Sequence, residues 1–300
     1  MTLAPIVLFV YNRPWHTQQT IEALQKNELS SESELFIYSD APKAEKDQEK
    51  VQEVRNYVHS INGFEKITII EREKNYGLAN SIIDGVTSVV NQHGKAVVLE
   101  DDLVTSPYFL KFMNDGLNLY EKNKDVISIH GYIYPVKGAL PETFFLRGSD
   151  CWGWATWKDR WLIFENDGAK LLDELNSRNL SKRFDYNNSY GYTQMLIDQI
   201  AGKNNSWAIR WYASAFLNNK YTLYPGKSLV LNIGNDGSGT HCAESMDFLS
   251  EVHMFPLSIS LINPRESTEA FRAFEQYFRR IKPRLLNQVK GLAFRVLKAL

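Results

Sequence analysis

The chain has 300 residues, 44 % hydrophobic and 23 % charged, with a formal net charge of −1, an ordinary soluble globular composition long enough to bury a sizeable core. So small a net charge gives no electrostatic ground for nucleic-acid binding. Two cysteines, Cys151 and Cys242, are too few for a disulfide framework and lack zinc-ligand spacing; no run of about 18 apolar residues is present to span a membrane as a helix, and MTLAPIVLFVYNRPW lacks the basic start and cleavage site of a signal peptide, so a reducing compartment is expected.

The first half alternates. Residues 6–11 (IVLFVY) form a continuous apolar run, as in a parallel strand buried on both faces. Pro14 opens a helix with Thr17, Ile21 and Leu24 on one face. Residues 35–38 (LFIY) give a second strand closing at Ser39 and Asp40, and 45–61 a helix with Val51, Val54 and Val58 at helical spacing. A third strand (67–70), a turn at Asn75-Tyr76-Gly77, a helix (78–92), a fourth strand (96–99), a helix (108–123) and a fifth strand (126–129) follow. Strands alternating with helices read as βαβ units, a mostly parallel Rossmann-like sheet with helices on both faces. The second half is less regular and richer in aromatics, and 232–239 (NIGNDGSG) is a turn-rich loop. With no clean linker before residue 264, residues 1–264 are expected to form one unit, of halves 1–130 and 131–264.

Such sheets bind ligands at the carboxyl ends of their strands, and the polar residues collect there. Strand one runs into Tyr11-Asn12-Arg13, strand two into Asp40, strand three into Glu71-Arg72 and strand four into Glu100-Asp101-Asp102. Three adjacent carboxylates repel one another unless a cation is shared, and hard divalent ions take one or two carboxylates together with substrate phosphates. The plainer reading is a solvated turn capping the next helix at Ser106-Pro107. Acids, arginines and an amide around one crevice suit a nucleotide-like ligand. Neither Gly-x-Gly-x-x-Gly nor a P-loop is present, which disfavours dinucleotide and P-loop modes.

Strand one with Tyr-Asn-Arg, the Asp closing strand two, Asn75-x-Gly77-Leu78 opening a helix, and VVLEDDLVTSPYFLKFM together resemble a GT-A-type glycosyltransferase, close to bacterial relatives of the N-acetylglucosaminyltransferase I family. The resemblance covers roughly residues 3–241, through Trp152-Gly153-Trp154 and the region from Trp207 to His241. It implies that Arg13 and Asp40 contact the phosphates and base of a nucleotide sugar, UDP-linked by preference. Glu100 and Asp101 would meet the ribose and sugar, and Tyr11, Arg72 and Asn75 would complete the set. Asp102 would ligate Mn2+ or Mg2+ as a Lewis acid for the leaving diphosphate, and His241 would lie near that diphosphate. A lone histidine is otherwise an ordinary surface or core residue.

One departure stands out. An inverting transferase needs a general base for the acceptor hydroxyl, and the family places an aspartate just after a tryptophan, where this chain reads Trp207-Ala208-Ile209-Arg210-Trp211; either another acid does the job, or the stereochemical course differs, or the protein is inactive. Asp198 and Asp150 are the candidate replacements, Asp198 being equally readable as a helix-surface charge. Trp152 and Trp154 flank Gly153 in an apparent turn and are assigned to the acceptor pocket; Trp157 and Trp161, four apart, are assigned to the core.

The tail differs from the body. Thr268 to Leu300 holds eight basic residues and two acids, net +6, which leaves the rest at −7. Apolar residues recur at 271, 274, 278, 281, 285, 289, 292, 296 and 300, an amphipathic helix that Pro283 should kink. Residues 265–300 therefore read as a basic membrane-surface anchor, or else as a terminal helix docked on the body or on a second copy. The leading expectation is a bacterial hexosyl- or N-acetylhexosaminyltransferase, cytoplasmic and peripheral to the membrane, acting on a cell-surface or lipid-linked glycan (lipopolysaccharide, capsule or exopolysaccharide). Alternatives are a catalytically inactive glycan-binding scaffold on that fold and a sugar-phosphate nucleotidyltransferase, which the absence of a Gly-rich loop after strand one disfavours.

Overall fold

The computed structural model describes residues 2–237 and 246–297, with side chains as far as 282. The apolar run at the N-terminus forms β1 (Ile6–Val10), buried at every position. It lies between β2 (Glu34–Ser39) and β4 (Lys95–Glu100), parallel to both, and β3 (Lys66–Glu71) extends the sheet beyond β2. Strand residues alternate in facing, so β1 feeds two cores. Ile6, Leu8 and Val10 join Ile21 and Leu24 of α1 (Pro14–Gln25) and Val54 and Val58 of α2 (Gln48–Ser60). Val7 and Phe9 join Ile82, Val86 and Val89 of α3 (Leu78–His93) on the other face. Glycines bound α3: Gly77 precedes it at φ 71°, and Gly94 ends it at φ 79°, in the left-handed region where a Cβ is penalised.

The same sheet continues into the second half, in the order β3-β2-β1-β4-β8-β6-β9-β7. Its added strands are β6 (Val126–His130), β7 (Thr143–Arg147), β8 (Trp154–Trp157) and β9 (Tyr221–Pro225). Only β8 and β7 run against the others, so the architecture is α/β with a mostly parallel sheet covered by helices on both faces. Between β4 and β6 come the short β5 (Leu103–Thr105) and α4 (Phe109–Leu119). Short helices α5 (Lys158–Trp161), α6 (Gly168–Ser177), α7 (Ser181–Phe184) and α8 (Tyr192–Ile200) precede α9 (Trp207–Leu217). After β9, β10 (Val230–Asn232) pairs with β5 in a separate two-stranded ribbon.

Two sequence expectations need correction. Trp154 does not line a pocket: it is fully buried, its ring 5.6 Å from Trp207, 5.7 Å from Trp161 and 5.9 Å from Trp211. Trp157 and Trp161 are core as expected, but on opposite faces of the sheet, because Trp157 ends a strand rather than sharing a helix with Trp161. The amphipathic tail is α10 (Thr268–Leu297), assigned as one helix through Pro283. Over 270–281 its apolar face is committed to the body, with Ala270, Phe271, Phe274, Tyr277, Phe278 and Ile281 all buried. Phe271 stacks on Tyr186 at 4.9 Å, and Phe278 lies 4.7 Å from Tyr190. This is the docked alternative, which leaves the membrane-anchor reading to residues beyond 282.

Candidate functional site

Four parallel strands end side by side on one edge of the sheet: β1 into Tyr11–Arg13, β2 into Asp40, β3 into Arg72 and β4 into the acidic triplet. The adjacent carboxylates tolerate one another because Arg13 stands between two of them. Its Nη2 donates to Asp101 Oδ1 at 2.7 Å and to Asp102 Oδ2 at 2.5 Å, with the three side chains 15, 9 and 16 % exposed. Such charge-assisted bonds in a poorly hydrated place are strong. Burial works against the Arg13 charge, but Asp101 and then Asp102 outweigh it and hold the guanidinium protonated, its pKa above the ordinary value. Glu100 is pushed up to about 8, by burial first and then by Asp102 and Asp101, so it carries a proton at neutral pH. Burial also pushes Asp101 up, against the pull of Arg13.

The turn-rich loop after β10 closes over these acids. Ile233 N–H donates to the Asp102 carbonyl at 2.9 Å. Gly234 passes so close that a Cβ there would sit 2.0 Å from Asp102 Oδ2 and 3.1 Å from Arg13 Nη1, a steric reason for glycine at this position. Two residues on, Asp236 Oδ2 lies 3.1 Å from Nε2 of buried His16. His241, expected near a diphosphate, lies outside the described residues.

The remaining donor-side candidates form a frame. Asp40 accepts N–H bonds from Ala41, Tyr76 and Gly77 at 3.0, 2.8 and 2.8 Å, which fixes the turn leading into α3. The Asn75 amide donates to Ala41 O at 2.7 Å. Tyr11 N–H donates to Asp101 Oδ2 at 3.4 Å, while its hydroxyl accepts from Lys43 N–H at 2.9 Å. Arg72 is ion-paired with Asp84 and packs over the rings of Tyr38 and Tyr76 at 5.0 and 4.4 Å. Asp40 and Asn75 thus hold the walls, whereas Arg13 and the triplet form the charged floor.

The expected Mn2+ or Mg2+ does not fit this arrangement. A divalent ion held together with substrate phosphates needs one or two protein carboxylates, and here those would be Asp101 and Asp102. The two aspartates already share the Arg13 cation, and the Gly234 backbone crowds Asp102. A divalent ion would have to displace Arg13.

On the second-half side, β8 runs antiparallel between β4 and β6, with Trp154 opposite both Val98 and His130. The residues before Trp154 therefore emerge on the edge where β4 and β6 end. There Trp152 is half-buried, its ring 4.7 Å from Tyr132 and 5.8 Å from Phe248. Asp150 accepts from Cys151 N–H at 2.9 Å and from the Tyr134 hydroxyl at 3.1 Å, and its side chain is 20 % exposed. Asp198 sits on α8, bonded to its helix neighbour Gln194 at 3.2 Å and to Lys203 at 3.1 Å. Ala208, Ile209 and Arg210 lie on α9, and Arg210 bonds to Ser206 and Asn166. Sequence reasoning passed over His130, which ends β6 and lies 4.0 Å from Asp150. The rule that selected Arg13 and Asp102, a polar residue where a parallel strand ends, also selects His130.

No protein-family model matches the chain, and no curated protein matches it. Solved structures similar to it include S. aureus TarS residues 1–349, with 12 % identity over 77 % of this chain and 61 % of that one, TM-score 0.40. A second is the Pyrobaculum calidifontis mannosyltransferase PcManGT in complex with GDP-Man and Mn2+, with 11 % identity over 44 % and 36 %, TM-score 0.33. A third is a UDP-glucose pyrophosphorylase complexed with UDP-glucose, with 12 % identity over 74 % and 90 %, TM-score 0.36. The chain spans less than two thirds of the first two. At TM-scores this low, nothing about activity follows from them.

Proposed function

We propose that the protein is a glycosyltransferase that moves a sugar from a nucleotide-sugar donor, UDP-linked by preference, onto a glycan hydroxyl. The observation that carries this reading is the convergence of Arg13, Asp101 and Asp102 at the ends of β1 and β4, under a loop whose glycine leaves room only for backbone. Carboxylates accept hydrogen bonds from ribose and sugar hydroxyls. A guanidinium is a planar donor suited to phosphate oxygens, so Arg13 would stabilise the charge that develops on the diphosphate as the glycosidic bond breaks. The frame made by Asp40, Tyr76 and Asn75 borders the place for the base. A metal dependence of this transfer would require a divalent ion to replace Arg13 at the acids.

The finer reading is a hexosyl- or N-acetylhexosaminyltransferase of bacterial surface-polysaccharide synthesis, working on a lipid-linked acceptor at the inner face of the plasma membrane. What supports it is the four basic residues and no acids in 283–300, beyond the docked part of α10. A second reading, an inactive glycan-binding protein, is favoured by the absence of a carboxylate in 207–211.

Thermal unfolding with UDP-glucose, UDP-N-acetylglucosamine and GDP-mannose tests donor binding. A donor at a hundredfold excess over its Kd should raise Tm by about 5 °C. No shift with any of the three contradicts the reading, and pyrophosphate release from UTP and glucose 1-phosphate would favour a nucleotidyltransferase instead.

A further inference from the structure

The position of the family's base holds no carboxylate, yet a transfer that inverts the anomeric carbon needs a group to take the acceptor proton. Of the two carboxylates considered, Asp198 is engaged on the surface of α8 with Gln194 and Lys203. Asp150 differs in place and surroundings. It precedes Trp152 and Trp154, and so lies in the loop reaching the edge where β4 and β6 end. The extended segment from Leu229, bonded to the Gly131 carbonyl, to Ile233, bonded to the Asp102 carbonyl, links the two sides of that edge.

Behind Asp150 stands His130. Its side chain is 0 % exposed, neither ring nitrogen has a hydrogen-bond partner among the described residues, and Nε2 lies 4.0 Å from Asp150 Oδ2. A buried imidazole with no bonded partner is costly, and a fold carries such a group at a functional site more readily than elsewhere. Trp152, half-buried beside Asp150, offers an aromatic face for a sugar ring.

Resting on the glycosyltransferase reading, we propose that Asp150 is the catalytic base that takes the acceptor proton, and that His130 is the residue that positions it. The acceptor O–H proton goes to the Asp150 carboxylate as the acceptor oxygen bonds to the anomeric carbon. The bond from that carbon to the phosphate oxygen breaks, and its electron pair leaves with the nucleoside diphosphate. Asp150 then releases the proton to water. Held neutral, His130 does not take the carboxylate's proton; with Nε2 4.0 Å from Oδ2 it packs beside Asp150, and a direct Nε2–H bond forms once the two close by about 1 Å. Burial lowers its pKa to about 4 against the opposing charge of Asp150. Tyr132, Tyr134, Tyr186, Tyr192, Tyr212 and Tyr224, which also feel the Asp150 charge, have phenol pKa values raised, chiefly by burial. They remain protonated throughout the working range.

The test uses the full chain and hydrolysis of whichever of UDP-glucose, UDP-N-acetylglucosamine and GDP-mannose stabilises it, with water as acceptor and with and without Mn2+. Asp150→Asn should keep the donor-induced rise in Tm and lose about 100-fold or more in rate, while Asp198→Asn keeps the rate. His130→Gln should keep donor binding and shift the acid limb of the pH–rate profile, which a purely structural role would leave in place. A full rate in Asp150→Asn, an equal loss in Asp198→Asn, or an unmoved profile in His130→Gln overturns the assignment. A wild-type protein that binds none of the donors overturns the glycosyltransferase reading and this assignment together. Donor binding with turnover insensitive to Asp150 overturns the assignment alone.

Discussion

Arg13 is the residue on which the donor side turns. Removing one partner of a poorly hydrated ion pair leaves the other charges uncompensated, so Arg13→Gln should cost up to about 3 kcal/mol of stability. It should also free Asp101 and Asp102 for a divalent ion, so Mn2+ should bind the variant more tightly than the wild type and restore part of the lost Tm. Equal Mn2+ affinity, measured by titration calorimetry, would show that Arg13 does not compete for the acids. Asp40→Ala leaves three N–H groups without their acceptor and should lower stability by about 2 kcal/mol, read from urea unfolding. At this scale the sequence picked out the residues that the structure brings together at the charged floor, because strand ends and acid runs are local patterns. It did not reveal that Arg13 supplies the cation the acids require, since that contact joins residues 88 and 89 positions apart.

At the scale of elements, β1 to β4 and β6 were legible because each is an apolar run bounded by turn residues, whereas the three-residue β5 was not. Trp154 was not, because a Trp-Gly-Trp turn and the start of a buried strand look alike until the strand pairing is known. The tail shows the same limit: its 3.6-residue periodicity establishes one apolar face without saying what covers it. The structure covers 270–281 with the body. Three buried rings, Phe271, Phe274 and Phe278, contribute about 1.5–3 kcal/mol each. Deleting 268–300 should therefore lower Tm steeply, whereas deleting 283–300 should leave the fold intact and abolish sedimentation with phosphatidylglycerol vesicles. Vesicle binding that survives the shorter deletion would remove the membrane role.

For the whole molecule, two groups, buried His130 and half-buried Glu100, bend stability with pH in opposite directions. His130 titrates at about 4 in the fold against an unperturbed 6.5. The unfolded chain thus binds the extra proton first, and stability is lost as pH falls from about 6.5 toward 4. Glu100, raised from 4.5 to about 8, keeps its proton longer in the fold, so its contribution is complete below 4.5 and lost as pH rises toward 8. Chemical denaturation across pH 4–8 should show stability falling at both ends, with Glu100→Gln removing the alkaline fall and His130→Gln the acidic one. The central claim is that the edge formed by β1, β4 and β6 handles a nucleotide sugar. Its most direct test is nucleoside diphosphate release from the three donors by the wild type and Asp102→Ala. The expected result is turnover of one donor that the variant loses; release from none, or equal release by the variant, would contradict it.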